Sequence, residues 1–206
     1  MVADSSIRFF DAQFQRQIRA GDLQLNPFEQ AALPHLSGSV LDYGCGLGNL
    51  ALAAARRGCT VLALDASPAA IAHLRAAAAA EGLPLRAVEA DLRRHVLHES
   101  FDAVVSIGLL MFFDCATALA QLAQLQAHVK PGGIAAINVL VQGTTYLEMF
   151  DTAGHCLFAP DELTRCFAGW QLLRCERQDF EAPGGTVKSF VTVVARKPAG
   201  EATTTS

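Results

Sequence analysis

The sequence predicts an α/β protein in which helices cover both faces of a mostly parallel sheet. Between residues 39 and 141, short apolar runs alternate with longer helical patterns, and this alternation is typical of strand–helix–strand units. Near the C-terminus, two further apolar runs follow each other with no helix between them. This second pattern predicts an antiparallel pair of strands.

The first 35 residues predict two short helices that precede the sheet. Apolar residues recur there at the spacing of one helix face, at Ile7, Phe10, Phe14 and Ile18. Gly21 and Pro27 interrupt this pattern and favour two helices over one long helix. We expect residues 1–35 to form a cap on a single domain that runs to residue 197.

Five strands and three helices are predicted in the alternating part. The strands are SVLDYG at 39–44, TVLALD at 60–65, PLRAVEAD at 84–91, FDAVVSIG at 101–108 and IAAINVLV at 134–141. The helices are expected at 49–58, 67–82 and 116–129. Ser67 and Pro68 give the second helix an N-cap and a first-position proline. The stretch Lys130-Pro131-Gly132-Gly133 predicts a sharp end to the third helix.

The C-terminal part predicts one more helix near 160–169 and the strands QLLRCERQDF and SFVTVVARK, joined through Ala182-Pro183-Gly184-Gly185. The connection at 142–160 is long for a compact domain, and its length predicts a lid. Residues 198–206 are polar and are predicted to be a disordered tail.

Composition disfavours several classes of partner. The chain has 206 residues and a formal net charge of −4 without a basic block, so no nucleic-acid partner is expected. No apolar run approaches the ~20 residues that cross a bilayer, so no membrane partner is expected. The six cysteines form no CxxC pair and no zinc-type cluster with histidine. We therefore predict mostly reduced thiols, no metal, a cytoplasmic location and a monomer or homodimer.

Gly44, Gly46 and Gly48 alternate in LDYGCGLGNL, just after the first predicted strand. Clustered glycines indicate a tight turn or a ligand lying against bare backbone, and a glycine loop between strand and helix is typical of nucleotide sites. The dinucleotide pattern GxGxxG would require its third glycine at Asn49. A turn without any ligand remains the alternative.

Two aspartates end the next two predicted strands. Asp65 ends the second strand, where a carboxylate can accept both hydroxyl protons of a ribose. Asp91 ends the third strand, where it can accept from the exocyclic amine of adenine beside Leu92. An N-cap role for Asp65 and a turn role for Asp91 are the alternatives. Open α/β sheets bind ligands at this edge, where the glycine loop and both aspartates converge.

These motifs, with EADL, FDAVVSIGLLMFF and VKPGG, resemble those of class I S-adenosylmethionine-dependent methyltransferases over residues 36–141. The resemblance implies a Rossmann-like three-layer sandwich with a seven-stranded sheet whose last strand is antiparallel. The cofactor residues that it implies are Gly44, Cys45 and Gly46 at the methionine part of S-adenosyl-L-methionine, Asp65 at the ribose, Asp91 and Leu92 at the adenine, and Ser106, Ile107 and Gly108 beneath the sulfonium. Four flanking residues complete the predicted site: Asp42, Gly48, Ala66 and Ser67.

A closer resemblance extends over most of the chain. FFDAQF, GLLMFF, FAPDEL, FAGW and FVTVVARK are similar to segments of the TehB-type tellurite-resistance methyltransferases, which methylate soft oxyanions such as tellurite and selenite. In that family, a His–Arg pair and a further arginine in the last hairpin handle the anion. The matching stretch EAPGGTVKSF has Ser189 in place of the arginine, and Lys188 is its only cation.

The predicted function is methyl transfer from S-adenosyl-L-methionine to a small-molecule acceptor, with thiols, selenium and tellurium species as the candidate soft nucleophiles. Tyr146 and His155 in the 142–160 connection are the candidate catalytic residues, because a neutral histidine can accept a proton or orient an acceptor. Lid packing for Tyr146 and a surface position for His155 are the alternatives. The candidate apolar walls are Phe9, Phe10 and Phe14 in the N-terminal segment, and Met111, Phe112 and Phe113 after the fourth predicted strand.

Two other classes share this type of sheet. An NAD(P)-binding oxidoreductase would use the same glycine loop and ribose carboxylate, but the glycine spacing and the lack of a second catalytic domain disfavour it. A non-catalytic nucleoside-binding protein would keep the glycine loop and Asp65 and would lack an acceptor pocket.

Overall fold

The computed structural model describes residues 5–21, 23–150 and 154–200. Its strands are β1 (Ser39–Tyr43), β2 (Thr60–Asp65), β3 (Leu85–Glu89), β4 (Phe101–Ile107), β5 (Val129–Leu140), β6 (Gln171–Ala182) and β7 (Thr186–Arg196). Its helices are α1 (Ser5–Ala20), α2 (Pro27–Ala32), α3 (Asn49–Arg56), α4 (Pro68–Glu81), α5 (Cys115–Ala127) and α6 (Glu162–Cys166). Short 3₁₀ turns lie at Leu33–His35, Leu110–Phe112 and Pro183–Gly185.

All seven strands form one sheet in the order β3-β2-β1-β4-β5-β7-β6. The strands β1 to β5 run parallel to one another. The last strand in the chain, β7, runs antiparallel to both β5 and β6. The predicted three-layer fold, with its mostly parallel sheet and antiparallel last strand, is therefore confirmed.

Two apolar cores cover the two faces of the sheet. Leu41 and Tyr43 of β1 face the core that contains α5 and α6. Their neighbour Val40 faces the core that contains α3, α4 and the end of α2. Because both faces are covered, the central strands are mainly apolar and do not show a regular alternation with polar residues.

The sequence signals for helix starts correspond to real caps. Asn26 and Glu29 form a capping box at the start of α2, and the Ser67 hydroxyl accepts the amide hydrogen of Ala70 at the start of α4. The two helices of the N-terminal segment are present on either side of Gly21, as predicted. Local cap chemistry therefore explains why the helices begin where they do.

The boundary between α5 and β5 differs from the prediction. Lys130-Pro131-Gly132-Gly133 lies inside β5, since Val129 already pairs with Phe101 of β4. The C-terminal residues bind this backbone, because the Gly132 amide donates to the Lys197 carbonyl and the Lys197 amide donates to the Gly133 carbonyl. Pairing with a distant segment thus extends a strand through residues that locally favour a turn.

The prediction of reduced thiols is wrong for one pair. Cys115, the first residue of α5, and Cys156 form a disulfide, with 4.7 Å between their Cα atoms and a sequence separation of 41. The fold brings these segments together, because the Cys156 amide donates to the carbonyl of Met111 just before α5. The other four cysteines, Cys45, Cys59, Cys166 and Cys175, are free thiols.

In the described ranges, none of the helices has the length and apolar character needed to span a membrane. The same part of the chain contains no group of three or more His, Cys, Asp or Glu side chains that could hold a metal ion. Residues 151–153 of the predicted lid and residues 201–206 of the predicted tail lie outside the described residues.

Candidate functional site

A cavity of about 340 Å³ lies at the carboxyl ends of β1, β2 and β4, beside α1 and α2. The strand order reverses between β1 and β4, which is where open α/β sheets bind ligands. The lining contains the following residues predicted for the cofactor: Asp42, Gly44, Cys45, Gly46, Gly48, Asp65, Ala66, Ser67, Asp91, Leu92, Ile107 and Gly108. Ser106 is absent from the lining, because its side chain is fully buried in β4.

Gly46 and Gly48 are needed for different reasons. Gly46 has a φ of +51°, and a Cβ there would lie 3.1 Å from the Phe14 ring, so α1 packs against bare backbone at this point. Gly48 has a φ of +74°, and a Cβ there would overlap the Leu74 side chain of α4. Gly46 therefore leaves room for α1 beside the cavity, and Gly48 allows the loop to pack closely against α4.

Asp65 is held in place by two backbone donors. The Gly46 amide donates to Oδ2 at 2.8 Å, and the Ser67 amide donates to Oδ1 at 2.9 Å. Burial raises the pKa of this carboxyl group, while the backbone donors lower it. Because each carboxylate oxygen accepts more than one hydrogen bond, the role at the start of α4 and a role towards a ligand hydroxyl are compatible.

Asp91 and Leu92 form the far end of the lining. Asp91 is exposed, and its Oδ1 accepts the Arg93 amide at 3.2 Å, so the predicted turn role is present. The buried Tyr43 hydroxyl donates to the Leu92 carbonyl at 2.7 Å, which fixes the backbone beside the cavity. The arrangement presents one carboxylate and one apolar side chain to the same space.

An aromatic wall completes the cavity on the side of the N-terminal helix. Phe10 and Phe14 of α1 line it together with Phe112 and Phe113, whereas Met111 is buried behind them. The rings of Phe10 and Phe112 meet edge to face, with 4.8 Å between their centroids. This wall is apolar and excludes water from one side of the cavity.

Asp11 ties α1 to the start of α4. The Ser67 hydroxyl donates to Asp11 Oδ1 at 2.6 Å, and the Ala69 amide donates to the same oxygen at 3.3 Å. A carboxylate at this position also interacts favourably with the positive end of the helix dipole. The contact holds the cap helix beside the cavity, and no local sequence pattern predicts it.

Asp42 and Glu29 are two acids that line the cavity from different elements. Asp42 is 5% exposed, and burial, together with the carboxylates of Glu29 and Asp65, raises its pKa to about 8. Burial also raises the pKa of Glu29. The sequence does not identify Glu29 as a site residue, because its capping-box pattern with Asn26 predicts a helix start and carries no information about a cavity.

The two candidate catalytic residues lie outside the lining. Tyr146 packs under Lys188, whose Nζ is 4.7 Å from the ring centroid. His155 stacks on Phe150 at a centroid distance of 4.4 Å, and Phe150 in turn contacts Phe112. One ring, that of Phe150, thus lies between His155 and the cavity wall at Phe112. A catalytic role for Tyr146 or His155 stays a prediction.

The lining suits S-adenosyl-L-methionine better than a dinucleotide. Among its described residues, Arg93 is the one basic side chain, and its guanidinium lies over the Phe113 ring and donates to the Phe112 carbonyl at 3.3 Å. A pyrophosphate would therefore meet several carboxylates. A methionine chain against the glycine loop and a ribose at Asp65 fit the same space.

Comparisons with known proteins agree with this geometry. Residues 40–133 match the family described as methyltransferase domain. A protein named hemagglutinin 1 from Eikenella corrodens is 34% identical over 171 residues, which is 77% of this chain and 54% of that protein. A probable S-adenosyl-L-methionine-dependent methyltransferase TehB from Haemophilus influenzae is 26% identical over 165 residues, which is 77% of this chain and 57% of the relative.

Solved structures extend the likeness to the whole fold. The crystal structure of TehB from Haemophilus influenzae superposes with a TM-score of 0.73 at 23% identity, covering 84% of this chain and 62% of that one. A structure solved for the conversion of a disulfide bond into a thioacetal group during echinomycin biosynthesis gives 0.63 at 26% identity, covering 84% and 82%. The chain spans about half the length of the curated relatives it matches, or less.

Proposed function

From the class I S-adenosylmethionine-dependent methyltransferase domain that the chain carries, we propose that it transfers the cofactor's methyl group to a small-molecule acceptor. The acceptor has a soft nucleophilic atom, namely sulfur, selenium or tellurium. The observation that supports the proposal most is the make-up of the cavity. Glycine backbone and Asp65 continue there into an aromatic wall, with no His, Lys or Tyr among the described lining residues. A soft nucleophile is the type of acceptor that reacts without a general base.

When bound, the cofactor supplies an electrophilic methyl group whose departure leaves a neutral thioether, so the leaving group requires no proton. The chain therefore has to align the acceptor with the methyl group and to exclude water. Asp65 and the backbone at Gly46 would hold the sugar and methionine ends. Phe10, Phe14 and Phe112 supply a wall without positive charge, which suits a reaction centre whose own positive charge disperses.

The acceptor itself is a further proposal. TehB and the protein of the echinomycin study share the fold, and the second is described in connection with the conversion of a disulfide bond into a thioacetal group. This likeness makes a thiol our preferred acceptor over tellurite. Ser189 stands where the TehB-type family has an arginine, and its hydroxyl accepts from the Arg177 guanidinium of β6 at 3.4 Å. Tyr146 and His155 are retained as candidates for binding the acceptor, because both belong to the connection that packs behind Phe112.

The cellular setting also belongs to this proposal. A cytoplasmic location, a monomer or homodimer and a role in tellurite resistance remain predictions. The Cys115–Cys156 disulfide is of a kind that reducing compartments disfavour. Trapping of free thiols in intact cells would therefore show whether the protein experiences a reducing environment.

Two measurements test the function. Calorimetry with S-adenosylmethionine, S-adenosylhomocysteine and NADH should show binding of the first two ligands. A screen with radiolabelled methyl groups across thiols, selenite, tellurite and small amines, with products identified by mass, should then show transfer to a soft acceptor. Binding of NADH alone would favour an oxidoreductase, and cofactor binding without transfer to any acceptor would favour a nucleoside-binding protein.

A further inference from the structure

Buried polar side chains of β1 and α5 bind the backbone of the segment that follows β3. The Tyr43 hydroxyl of β1 donates to the Leu92 carbonyl at 2.7 Å and lies 2.9 Å from Gln121 Oε1 of α5. The Gln121 amide nitrogen in turn donates to the Arg93 carbonyl at 3.2 Å. Tyr43 is fully buried and Gln121 is 9% exposed, so water competes little for these hydrogen bonds. The two side chains therefore hold consecutive carbonyl groups beside the cavity.

A second glutamine of α5 continues this network. Gln124 Nε2 donates to Gln121 Oε1 at 2.8 Å and to the His95 carbonyl at 3.0 Å. The Leu97 amide donates to Gln124 Oε1 at 3.1 Å. Because residues 92–97 lie outside the helices and strands, the side chains of other elements set the position of this segment.

The segment begins at Asp91, whose side chain lines the cavity. Asp91 Oδ1 accepts the Arg93 amide at 3.2 Å, and the Asp91 carbonyl accepts the His95 amide at 2.9 Å. The direction of the carboxylate therefore depends on the same turn whose carbonyl groups Tyr43 and Gln121 hold. If this turn shifts, the carboxylate moves relative to a ligand in the cavity.

We propose that Tyr43 and Gln121 are positioning residues that set the specificity of the site for the nucleoside base. This inference rests on the proposed function, with the base of the cofactor at Asp91 and Leu92. A carboxylate only accepts hydrogen bonds, so it favours the exocyclic amine of adenine over the carbonyl oxygen that hypoxanthine has at the same position. Neither Tyr43 nor Gln121 lines the cavity, so both act through the segment that follows β3.

The test compares two ligands by calorimetry on the full chain. S-adenosylhomocysteine carries the exocyclic amine, whereas S-inosylhomocysteine has a carbonyl oxygen in its place. The unaltered protein should prefer S-adenosylhomocysteine by about 10-fold or more, the range expected for a hydrogen bond to a charged group. Tyr43→Phe removes the hydroxyl and keeps the ring, and Gln121→Leu removes the amide. Each variant should lower this preference by about 3-fold or more, within the range for residues of a coupled network.

Ile137→Val is the matched control for a loss of stability. Ile137 is fully buried in the same core as Tyr43 and is absent from the cavity lining. Removing one methylene group from a buried isoleucine destabilises a protein about as much as losing one hydrogen bond. Thermal unfolding should therefore show a similar decrease in melting temperature for Ile137→Val and Tyr43→Phe, and only Tyr43→Phe should alter the preference between the two ligands.

The outcomes separate this inference from the proposed function. If the folded Tyr43→Phe and Gln121→Leu variants keep the full preference, or lose affinity for both ligands equally, the two residues do not position the base. Equal binding of both ligands by the unaltered protein would also overturn the inference, and the proposed function would stand. If the unaltered protein binds neither ligand, the proposed function fails and the inference fails with it.

Discussion

Asp65 joins three parts of the site through one carboxylate. It accepts the amides of Gly46 and Ser67, so it links the glycine loop after β1 to the start of α4. The N-cap alternative and the ribose alternative considered from the sequence therefore describe two compatible uses of the same side chain. We therefore predict that replacing Asp65 changes both ligand affinity and local structure.

Asp65→Ala should weaken binding of S-adenosylhomocysteine by about 10-fold or more, because hydrogen bonds from sugar hydroxyls to a charged acceptor are lost. It should also lower the melting temperature, since two part-buried amides lose their acceptor. Calorimetry and thermal unfolding measure the two effects. Asp161→Ala is the control, because Asp161 forms an exposed pair with Arg165 far along the chain. Full affinity in a folded Asp65→Ala variant would remove Asp65 from the site.

At the scale of elements, contacts with α4, the glycine loop and the aromatic wall hold α1 over the cavity. Asp11 accepts from Ser67 and Ala69 of the α4 N-terminus, and Phe10 and Phe14 pack on Phe112 and Gly46. The sequence predicts α1 as a helix from its apolar spacing. It does not predict the docking position, because a contact between residues 11 and 67 has no local signature.

Asp11→Ala should loosen α1 without unfolding the sheet. Losing two hydrogen bonds to a carboxylate should destabilise the docked helix by ~1–3 kcal/mol and speed hydrogen exchange at its amides. Exchange measured by mass spectrometry, with and without S-adenosylhomocysteine, reports this directly. Arg19→Ala on the exposed side of the same helix is the control. Identical exchange in the Asp11 and Arg19 variants would contradict the tie to α4.

The disulfide acts on a second element, the connection between β5 and α6. Cys156 lies next to Met111, whose neighbour Phe112 lines the cavity. Reduction therefore frees a segment that packs behind the aromatic wall. The spacing of the cysteines in the sequence does not predict this disulfide, because the two cysteines come close only when the whole connection folds back onto α5.

Cys115→Ser should lower the free energy of unfolding by roughly 4 kcal/mol, the loop-closure value for a 41-residue separation. Denaturant unfolding with and without reductant measures the loss. Cys175→Ser is the control, since Cys175 is an exposed free thiol. If reductant leaves the stability of the unaltered protein unchanged, the bridge does not contribute to the folded state.

At the scale of the whole molecule, the sheet was predictable from the sequence, whereas the packing of the N-terminal helices on it was not. Apolar runs such as TVLALD at β2 are strongly constrained, because both faces of the sheet are buried, and the residues at strand ends therefore converge on one edge. Glu29 and Asp11 reach the same cavity from the N-terminal segment, where a local pattern defines helices but leaves their packing undetermined. Only the contacts between elements in the structure identify Glu29 and Asp11 as residues near the cavity.

The overall pH dependence of stability should carry the signature of Asp42. Its pKa in the folded protein is about 8, well above the ordinary value of 3.8. A carboxyl group whose pKa rises on folding stabilises the folded state most at low pH. Its contribution is present below the unfolded pKa and is lost as the pH rises through the folded one, at up to ~1.4 kcal/mol per pH unit. The ligand-free protein therefore becomes less stable towards neutral pH because of Asp42, which is one of the predicted cofactor residues.

Asp42→Asn should remove this dependence. The prediction applies between about pH 5 and pH 7.5, which lies between the pKa values of Asp42 in the unfolded and the folded protein. As the pH rises over this range, the free energy of unfolding of the variant should increase relative to that of the unaltered protein. The affinity of the variant for S-adenosylhomocysteine should fall. Asp102→Asn is the control with the opposite sign. Hydrogen bonds from Ser39 and Lys130 lower the pKa of Asp102 to about 2, so its contribution is lost only in acid and should be constant over this range. Urea unfolding at several pH values gives both differences, and a constant gap between the unaltered protein and Asp42→Asn would show that Asp42 is charged in the ligand-free fold.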